Sequence, residues 1–504
     1  MWTGDVTAEP DVTSRLQGRL LSTEIVPAGP PRREDATSIP VGRMSRYSDG
    51  RAVLGVALVF GLLLRAILFW QTSDLGTVIV DEQQYTQLAT NVLGGAGLAW
   101  DAEHPTSLRP PLYPGLLAAL WVWAGPMNFQ AARFVQILLA LVTAAVVYEL
   151  GRRVFRPAVG RYGAAVCWLY PSLIFFNFTI LTETLFTLLL VAFVLLTVML
   201  VQTPRAWIAL VCGLSLGLAA LTRSILWPLP LVLCPLLALL LRESAKDRLV
   251  LPALVFIGYA VAIGPWAVRN TRLQHVFTVV DTMGGINLRM GNYAHTPNYR
   301  MWDAVMLEGD KNWATELGVE QPGREFTDGE KEKWAQRKAI AYMRDNPGTT
   351  LRRSVIKFAD FWGLEREFAA GIQERLYDPP HWFGIAAPVA ILVGYATVAL
   401  LGAAGMWLAA PAWRMHILLL LPVVVITGAH TIVFGHSRYH VPLMPIFGLY
   451  AAALVRARQD ISWPQHRRAL CGAVLAAVGL FAIWIHQVAV SDISKIRAFV
   501  DRVI

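Results

Sequence analysis

Two adjacent carboxylates, Asp81 and Glu82, head the stretch 76-GTVIVDEQQYTQLATNVLGG-95, just beyond the first hydrophobic block of the chain. A carboxylate within reach of a hydroxyl takes its proton as the oxygen attacks an electrophilic carbon, such as the anomeric carbon of a sugar. Asp81 is the stronger candidate for that base, and Glu82, pointing to a different side of a helix, is its structural or tuning neighbour. The plain alternative is a pair of first-turn acids favoured by the helix dipole. Arg109 precedes 110-PPLYP-114, whose rigid backbone could hold its guanidinium over a lipid phosphate, a group that the fixed fork of arginine donors fits. An arginine reaching for the membrane interface is the alternative there.

Further polar residues stand at turns between apolar blocks. Arg223 in 219-AALTRSILWP-228 either neutralises a phosphate or marks a turn, and Arg438 and Tyr439 in 436-HSRYHVPLMP-445 are candidate contacts to phosphate or sugar. Glu183 in 177-NFTILTETLFT-187 carries a desolvation cost unless it is paired or wet, so it either pairs with Arg223 or shapes an acceptor region. Tyr85, Tyr113 and His436 are acceptor or structural candidates. His436 and His440 have the spacing of a helical metal pair, but Pro442 opposes a regular helix, and no metal or other cofactor is expected. No Walker motif or glycine-rich phosphate loop is present.

The elements that must position these residues are hydrophobic. Of 504 residues, 55% are hydrophobic and 16% charged, a balance that excludes an ordinary soluble protein. The apolar residues recur in blocks close to bilayer-crossing length: 52–70, 129–150, 162–180, 184–201, 206–222, 225–241, 249–268, 384–408, 415–433, 439–456 and 469–489. The expected fold is an all-α polytopic membrane protein of about eleven transmembrane helices. The acidic stretch reads as a helix with Tyr85, Leu88, Ala89 and Val92 on one face, toward lipid, stopped by Gly94 and Gly95. Residues 111–125 are short for a span. Treated as a re-entrant or juxtamembrane helix, they leave the basic linkers 152–161, 242–248 and 456–468 all on the side of the amino terminus, as the positive-inside rule requires. The candidate residues then all face outward, away from cytoplasmic ATP.

The net charge of +9 gathers in those linkers rather than in a nucleic-acid surface, so no nucleic-acid partner is expected. Cys167, Cys212, Cys234 and Cys471 read as small core residues without disulfides. Arg65 reads as a snorkelling residue near the end of the first span. Four regions follow: a disordered cytoplasmic tail over 1–50; an amino-terminal transmembrane module over 51–268, with the first external loop at 71–128; an external mini-domain over 269–382; and carboxy-terminal helices over 383–504. Within the mini-domain, Thr327 and Glu330 form a capping box for a helix that stops at Pro347, and 351-LRRSVIKFADFWG-363 reads as an interfacial helix.

The motifs 81-DEQQY-85 and 109-RPPLYPGLLA-118, with 182-TETLF-186, 221-LTRS-224, 285-GINLRMGNYAH-295 and 438-RYHVPLMP-445, resemble those of the GT-C class of membrane glycosyltransferases. Within that class the chain is similar to the bacterial protein O-mannosyltransferase and aminoarabinose-transferase branch, over most of residues 52–457. The resemblance implies an inverting transfer of one sugar from a polyprenyl-monophosphate carrier, without a catalytic metal, at the outer face of the bacterial cytoplasmic membrane. It implies Asp81 as general base, Arg109 at the lipid phosphate, Glu183 near the acceptor, and Arg438 and Tyr439 in a late external motif. The acceptor would be a glycolipid, a cell-wall polysaccharide or a protein. The external loop is not the lumenal carbohydrate-binding domain of eukaryotic protein mannosyltransferases, which turns the expectation away from a protein acceptor. A transporter or flippase of lipid-linked sugar, or a non-catalytic envelope-assembly protein, are the alternative readings.

Overall fold

The computed structural model describes residues 50–458 and 465–503, so the expected tail over 1–50 and the middle of the 456–468 linker lie essentially outside the described residues. The chain enters as α1 (Arg51–Gln71), then turns into α2 (Val80–Leu93) and α3 (Leu112–Ala124). The next helices are α4 (Phe129–Val154), α5 (Pro157–Leu169), α6 (Pro171–Phe176), α7 (Glu183–Gln202), α8 (Ala206–Thr222), α9 (Pro230–Leu240) and α10 (Ala245–Gln274). The long polar segment folds into α11 (Gly284–Gly291), α12 (Trp313–Glu320), α13 (Asp328–Asp345), α14 (Pro347–Phe361) and α15 (Glu367–Gln373). Then come α16 (His381–Leu408), α17 (Trp413–Ile432), a 3-10 turn over Ser437–Leu443 that runs into α18 (Met444–Ala457), α19 (Arg467–His486) and α20 (Ile493–Val503). The described residues form no β-strand, only an isolated bridge between Ala99 and Pro105.

Among the described residues, eight helices are long and apolar enough to cross a membrane. They account for eight of the eleven expected blocks; α8 and α9 are apolar but shorter. The block 162–180 is broken, because Pro171 cannot continue α5 and instead starts the short α6. Residues 177–182 are left as a turn, and that turn becomes part of the site. Helices α8 and α10 approach through glycines: a Cβ at Gly213 would collide with the Val255 carbonyl, and one at Gly258 with that of Leu210.

The amphipathic helix α2 differs from expectation in which face it buries. Tyr85, Leu88 and Ala89 of α2 turn inward to the protein core rather than to lipid, because α3 covers that face. In α14 the buried face is the cationic one. Arg353 donates to the carbonyls of Tyr293 (2.9 Å) and Thr296 (3.0 Å), and Lys357 donates to Asn292 Oδ1 and the Ile432 carbonyl, both at 2.8 Å. Leu351, Val355 and Phe358 face outward instead, as on a helix lying against lipid. The Thr327–Glu330 capping box is formed in both directions, at 3.2 and 3.0 Å. Arg65 does not snorkel: it is buried, bonds Asn177 Oδ1 at 2.9 Å, and lies 3.7 Å from the centroid of the Trp168 ring. All four cysteines are free; Cys167 and Cys212 are buried, Cys234 is half-buried, and Cys471 is exposed rather than in a core.

Candidate active site

The loop that leads into α2 is fastened from below by a residue that spacing did not single out. Arg133, buried in α4, donates to the carbonyls of Thr72 (2.8 Å), Leu75 (2.5 Å) and Phe178 (3.0 Å), tying the loop to the 177–182 turn. Glu82 makes the second tie. One of its oxygens accepts from the backbone N–H of Val78 (2.6 Å) and Ile79 (3.1 Å), and the other from Ile180 (2.8 Å). Glu82, read from the sequence as a structural or tuning neighbour of Asp81, is held here by backbone groups. Its carboxylate is saturated by backbone donors and knits two loops together. Tyr113 is likewise buried scaffold: its hydroxyl donates to Gln136 Oε1 at 3.2 Å, and Gln136 holds the carbonyls of Asn177 and Thr179.

With both loops fixed, five charged side chains that are distant in sequence meet in one chain of ion pairs. Arg109 Nη2 donates to Asp81 Oδ1 at 2.6 Å, and Arg438 Nη1 to Asp81 Oδ2 at 3.0 Å. Arg438 Nε also donates to Glu183 Oε1, and Arg223 Nη2 reaches the same oxygen at 2.6 Å. Three guanidiniums face two carboxylates, leaving one net positive charge. Gln84, another residue not singled out, accepts from Arg109 Nε at 2.8 Å and fixes the plane of its fork. Arg223 also donates to Thr182 Oγ1 at 3.0 Å. Its guanidinium carbon sits 5.6 Å from the ring centroids of both Phe186 and Tyr439. Tyr439 in turn stacks on His430 at 4.3 Å. Glu183 is fully buried, and its Oε2 has no hydrogen-bond partner among the described residues. Burial pushes the Asp81 carboxyl up, but the guanidiniums of Arg438 and Arg109 outweigh it and hold the group down at about 2.

Asp81, Arg109, Arg223, Arg438, Tyr439 and Tyr85 line a cavity of about 620 Å³. The α8–α9 connection and α17 give it an apolar wall that includes Ile225, Trp227, Pro228, Ile426 and Ile432. The long polar segment between α10 and α16 contributes polar side chains, among them Asp281, Asn287, Glu332 and Gln336. Asp281 is a further carboxyl in the cavity, along with Asp81 and Glu332, in a loop without a motif. Burial raises it to about 6, against hydrogen bonds from Ser224 and the Met283 N–H. An apolar trough, a cluster of guanidiniums and a polar recess suit an amphiphile with an anionic junction.

The two late histidines have separate surroundings. His436 packs against Trp302 with ring centroids 4.3 Å apart, with its Nδ1 3.3 Å from Glu367 Oε1. It lines a second cavity, of about 350 Å³. His440 is fully buried between the parallel rings of Trp362 and Tyr395. One of its ring nitrogens faces the Phe361 carbonyl and the other lies 2.9 Å from Glu365, which also accepts from the hydroxyls of Tyr170 and Ser172. That network anchors the turn carrying Arg438 and Tyr439 to the end of α14 and the start of α6. Among the described residues, no group of three or more His, Cys, Asp or Glu side chains is arranged to hold a metal ion.

Residues 108–267 match the family described as dolichyl-phosphate-mannose-protein mannosyltransferase. That segment includes Arg109, Glu183 and Arg223. No curated protein sequence matches the chain. Among solved structures, similarity extends to the oligosaccharyltransferase of Archaeoglobus fulgidus in its apo form, at 14% identity and a TM-score of 0.47, covering 86% of this chain and 55% of that one. The archaeal AglB complex with an inhibitory peptide and a dolichol-phosphate has 12% identity, the same TM-score and the same coverage. ArnT from Cupriavidus metallidurans bound to undecaprenyl phosphate has 14% identity and a TM-score of 0.40, covering 79% of this chain and 77% of that one. The chain spans about half the length of the archaeal oligosaccharyltransferase it matches. Through its all-helical membrane architecture and the matched segment, the chain resembles the GT-C polyprenyl-phosphate-sugar-dependent glycosyltransferases.

Proposed function

We propose that the protein is an inverting glycosyltransferase that moves one sugar from a polyprenyl-monophosphate carrier to an acceptor hydroxyl at the outer face of the bacterial cytoplasmic membrane. The observation that carries this reading is Asp81 held between Arg109 and Arg438 at the rim of an apolar-walled cavity. The isoprenoid lies along Ile225, Trp227 and Ile432, and the phosphate meets Arg109, Arg223 and Arg438. The acceptor oxygen bonds to the anomeric carbon as the bond from that carbon to the phosphate oxygen breaks. The acceptor proton passes to Asp81, and the leaving phosphate keeps the electron pair under the guanidiniums.

In the ligand-free arrangement Asp81 is a weak base, because the arginines that the phosphate needs are the ones holding its charge. An arriving phosphate competes for those forks, and each guanidinium it draws away makes Asp81 more basic. Donor binding thus prepares the base before the acceptor is used. The chemistry assigned here uses guanidinium charge rather than a metal ion.

The test is transfer by purified protein in lipid nanodiscs, offered a panel of polyprenyl-phosphate sugars with membrane extract as acceptor and followed by mass spectrometry. A glycosylated product with release of polyprenyl phosphate is expected. Donor carried across a bilayer with no new glycosidic bond would replace the reading with transport.

A further inference from the structure

The second cavity takes no part in the donor chemistry set out above. Its wall shares a single residue with the first cavity, Arg438, and it also includes Ile79, two residues before Asp81. A molecule in it would therefore meet a molecule in the first cavity at the Asp81–Arg438 pair.

The wall of this cavity holds a guanidinium that lies 5.3 Å from the Trp302 ring centroid and has two donors without a hydrogen bond. Arg300 Nε and Nη1 are buried and find no hydrogen-bond partner among the described residues, and the Asp303 carboxylate stands 3.6 Å from Nε, beyond hydrogen-bonding reach. Burying donors without a hydrogen bond is unfavourable. The Arg300 backbone is also held at φ 52°, a left-handed conformation unfavourable for a residue with a side chain. Strain and unmet polarity at one cavity residue point to a ligand that supplies acceptors.

The rest of the wall says which acceptors. Trp302 and Tyr377 offer rings, and Glu367 offers a carboxylate beside His436. Sugar hydroxyls both donate and accept, so they satisfy a guanidinium and a carboxylate together, while the C–H face of a pyranose is apolar and lies flat on an aromatic ring. We infer that the second cavity seats the acceptor, and that the acceptor is a saccharide whose hydroxyl reaches Asp81 past Arg438. This assignment of the acceptor rests on the glycosyltransferase reading; the saccharide site itself does not.

Saturation-transfer NMR on wild-type protein in nanodiscs tests it without any donor. The probes are methyl α-mannoside, methyl β-galactoside and methyl α-arabinofuranoside, with a short serine- and threonine-containing peptide beside them. At least one glycoside is expected to bind and the peptide not to. Arg300→Gln and, independently, Trp302→Leu should weaken that binding roughly tenfold or more while undecaprenyl phosphate still binds with wild-type affinity. Trp302→Leu carries the test alone if Arg300→Gln does not fold. Binding of the peptide but of no glycoside, or glycoside binding that survives both substitutions, overturns the inference. Glycoside binding at this wall together with no transfer from any donor leaves the saccharide site standing and removes the transferase reading.

Discussion

Replacing Asp81 by asparagine separates two roles that the ion-pair chain combines. In the wild type, the Asp81 carboxylate is held down from the ordinary 3.8 to about 2, a net preference for the charged form worth about 2 kcal/mol. That energy comes from Arg109 and Arg438, the groups assigned to the donor phosphate. Asparagine keeps the shape and removes the charge, so the two guanidiniums no longer have to leave a carboxylate to meet a phosphate. Undecaprenyl phosphate should bind Asp81→Asn more tightly, by up to roughly 30-fold. Transfer should fall by about 10²–10⁴-fold, the usual contribution of a general base. The sign of any pH effect follows from the depressed value: the pairing is complete above the ordinary 3.8 and is lost only as pH falls through about 2. In the ligand-free protein Asp81 should therefore add no pH dependence of its own between pH 5 and 8. Calorimetric titration of the lipid phosphate into nanodiscs at fixed ionic strength gives the affinity, and mass-spectrometric turnover gives the rate. Weaker lipid-phosphate binding in the variant, or normal turnover, would refute the reasoning.

Two further predictions concern groups that shape the site from outside it. Glu82→Gln leaves backbone donors of Val78, Ile79 and Ile180 facing an amide in place of a carboxylate, so the thermal midpoint should drop by the equivalent of about 1–3 kcal/mol. The folded fraction should still bind undecaprenyl phosphate with wild-type affinity, and a loss of that affinity without loss of stability would return Glu82 to the donor site. Asp360, near the end of α14, is raised by burial to about 7, against a hydrogen bond from the Arg300 backbone. The folded protein therefore holds a proton there that the unfolded chain releases above about pH 4, and this contribution to stability falls as pH rises from about 4 to 7. Asp360→Asn should flatten that slope and raise the thermal midpoint at pH 8 relative to wild type, with little change at pH 4. Parallel slopes for the two proteins would show that Asp360 does not titrate in that range.

The residues legible in the sequence are those that apolar surroundings make conspicuous. Glu183, Arg223 and Arg438 stand at the ends of hydrophobic blocks, where a charge needs a partner, and the structure supplies each of them with one. Asp81 and Arg109 carry motifs, and they meet. Arg133 was hidden because a single cation inside an apolar block looks like any interfacial arginine until the three carbonyls it holds are seen. Asp281 and Glu365 were hidden for the opposite reason. Each lies in a long polar segment, where spacing does not distinguish a solvated carboxylate from a buried one. Pro171 was a legible break in the block 162–180, and periodicity alone passed over it. The inward turn of the apolar face of α2 was not legible, because a helix covered by lipid and one covered by α3 show the same pattern.

The buried contact between His440 and Glu365 has a consequence for exchanging parts between proteins of this kind. Arg438 lies at a late turn of the chain, yet its position depends on Phe361 and Glu365, at and just after the end of α14, and on Tyr170 and Ser172 in the first half. A chimera that imports a foreign segment reaching beyond Glu365 would keep the arginine and lose its anchor. The natural joint lies earlier: a transplanted segment has to stop short of residue 361, or accept a guanidinium with no fixed address.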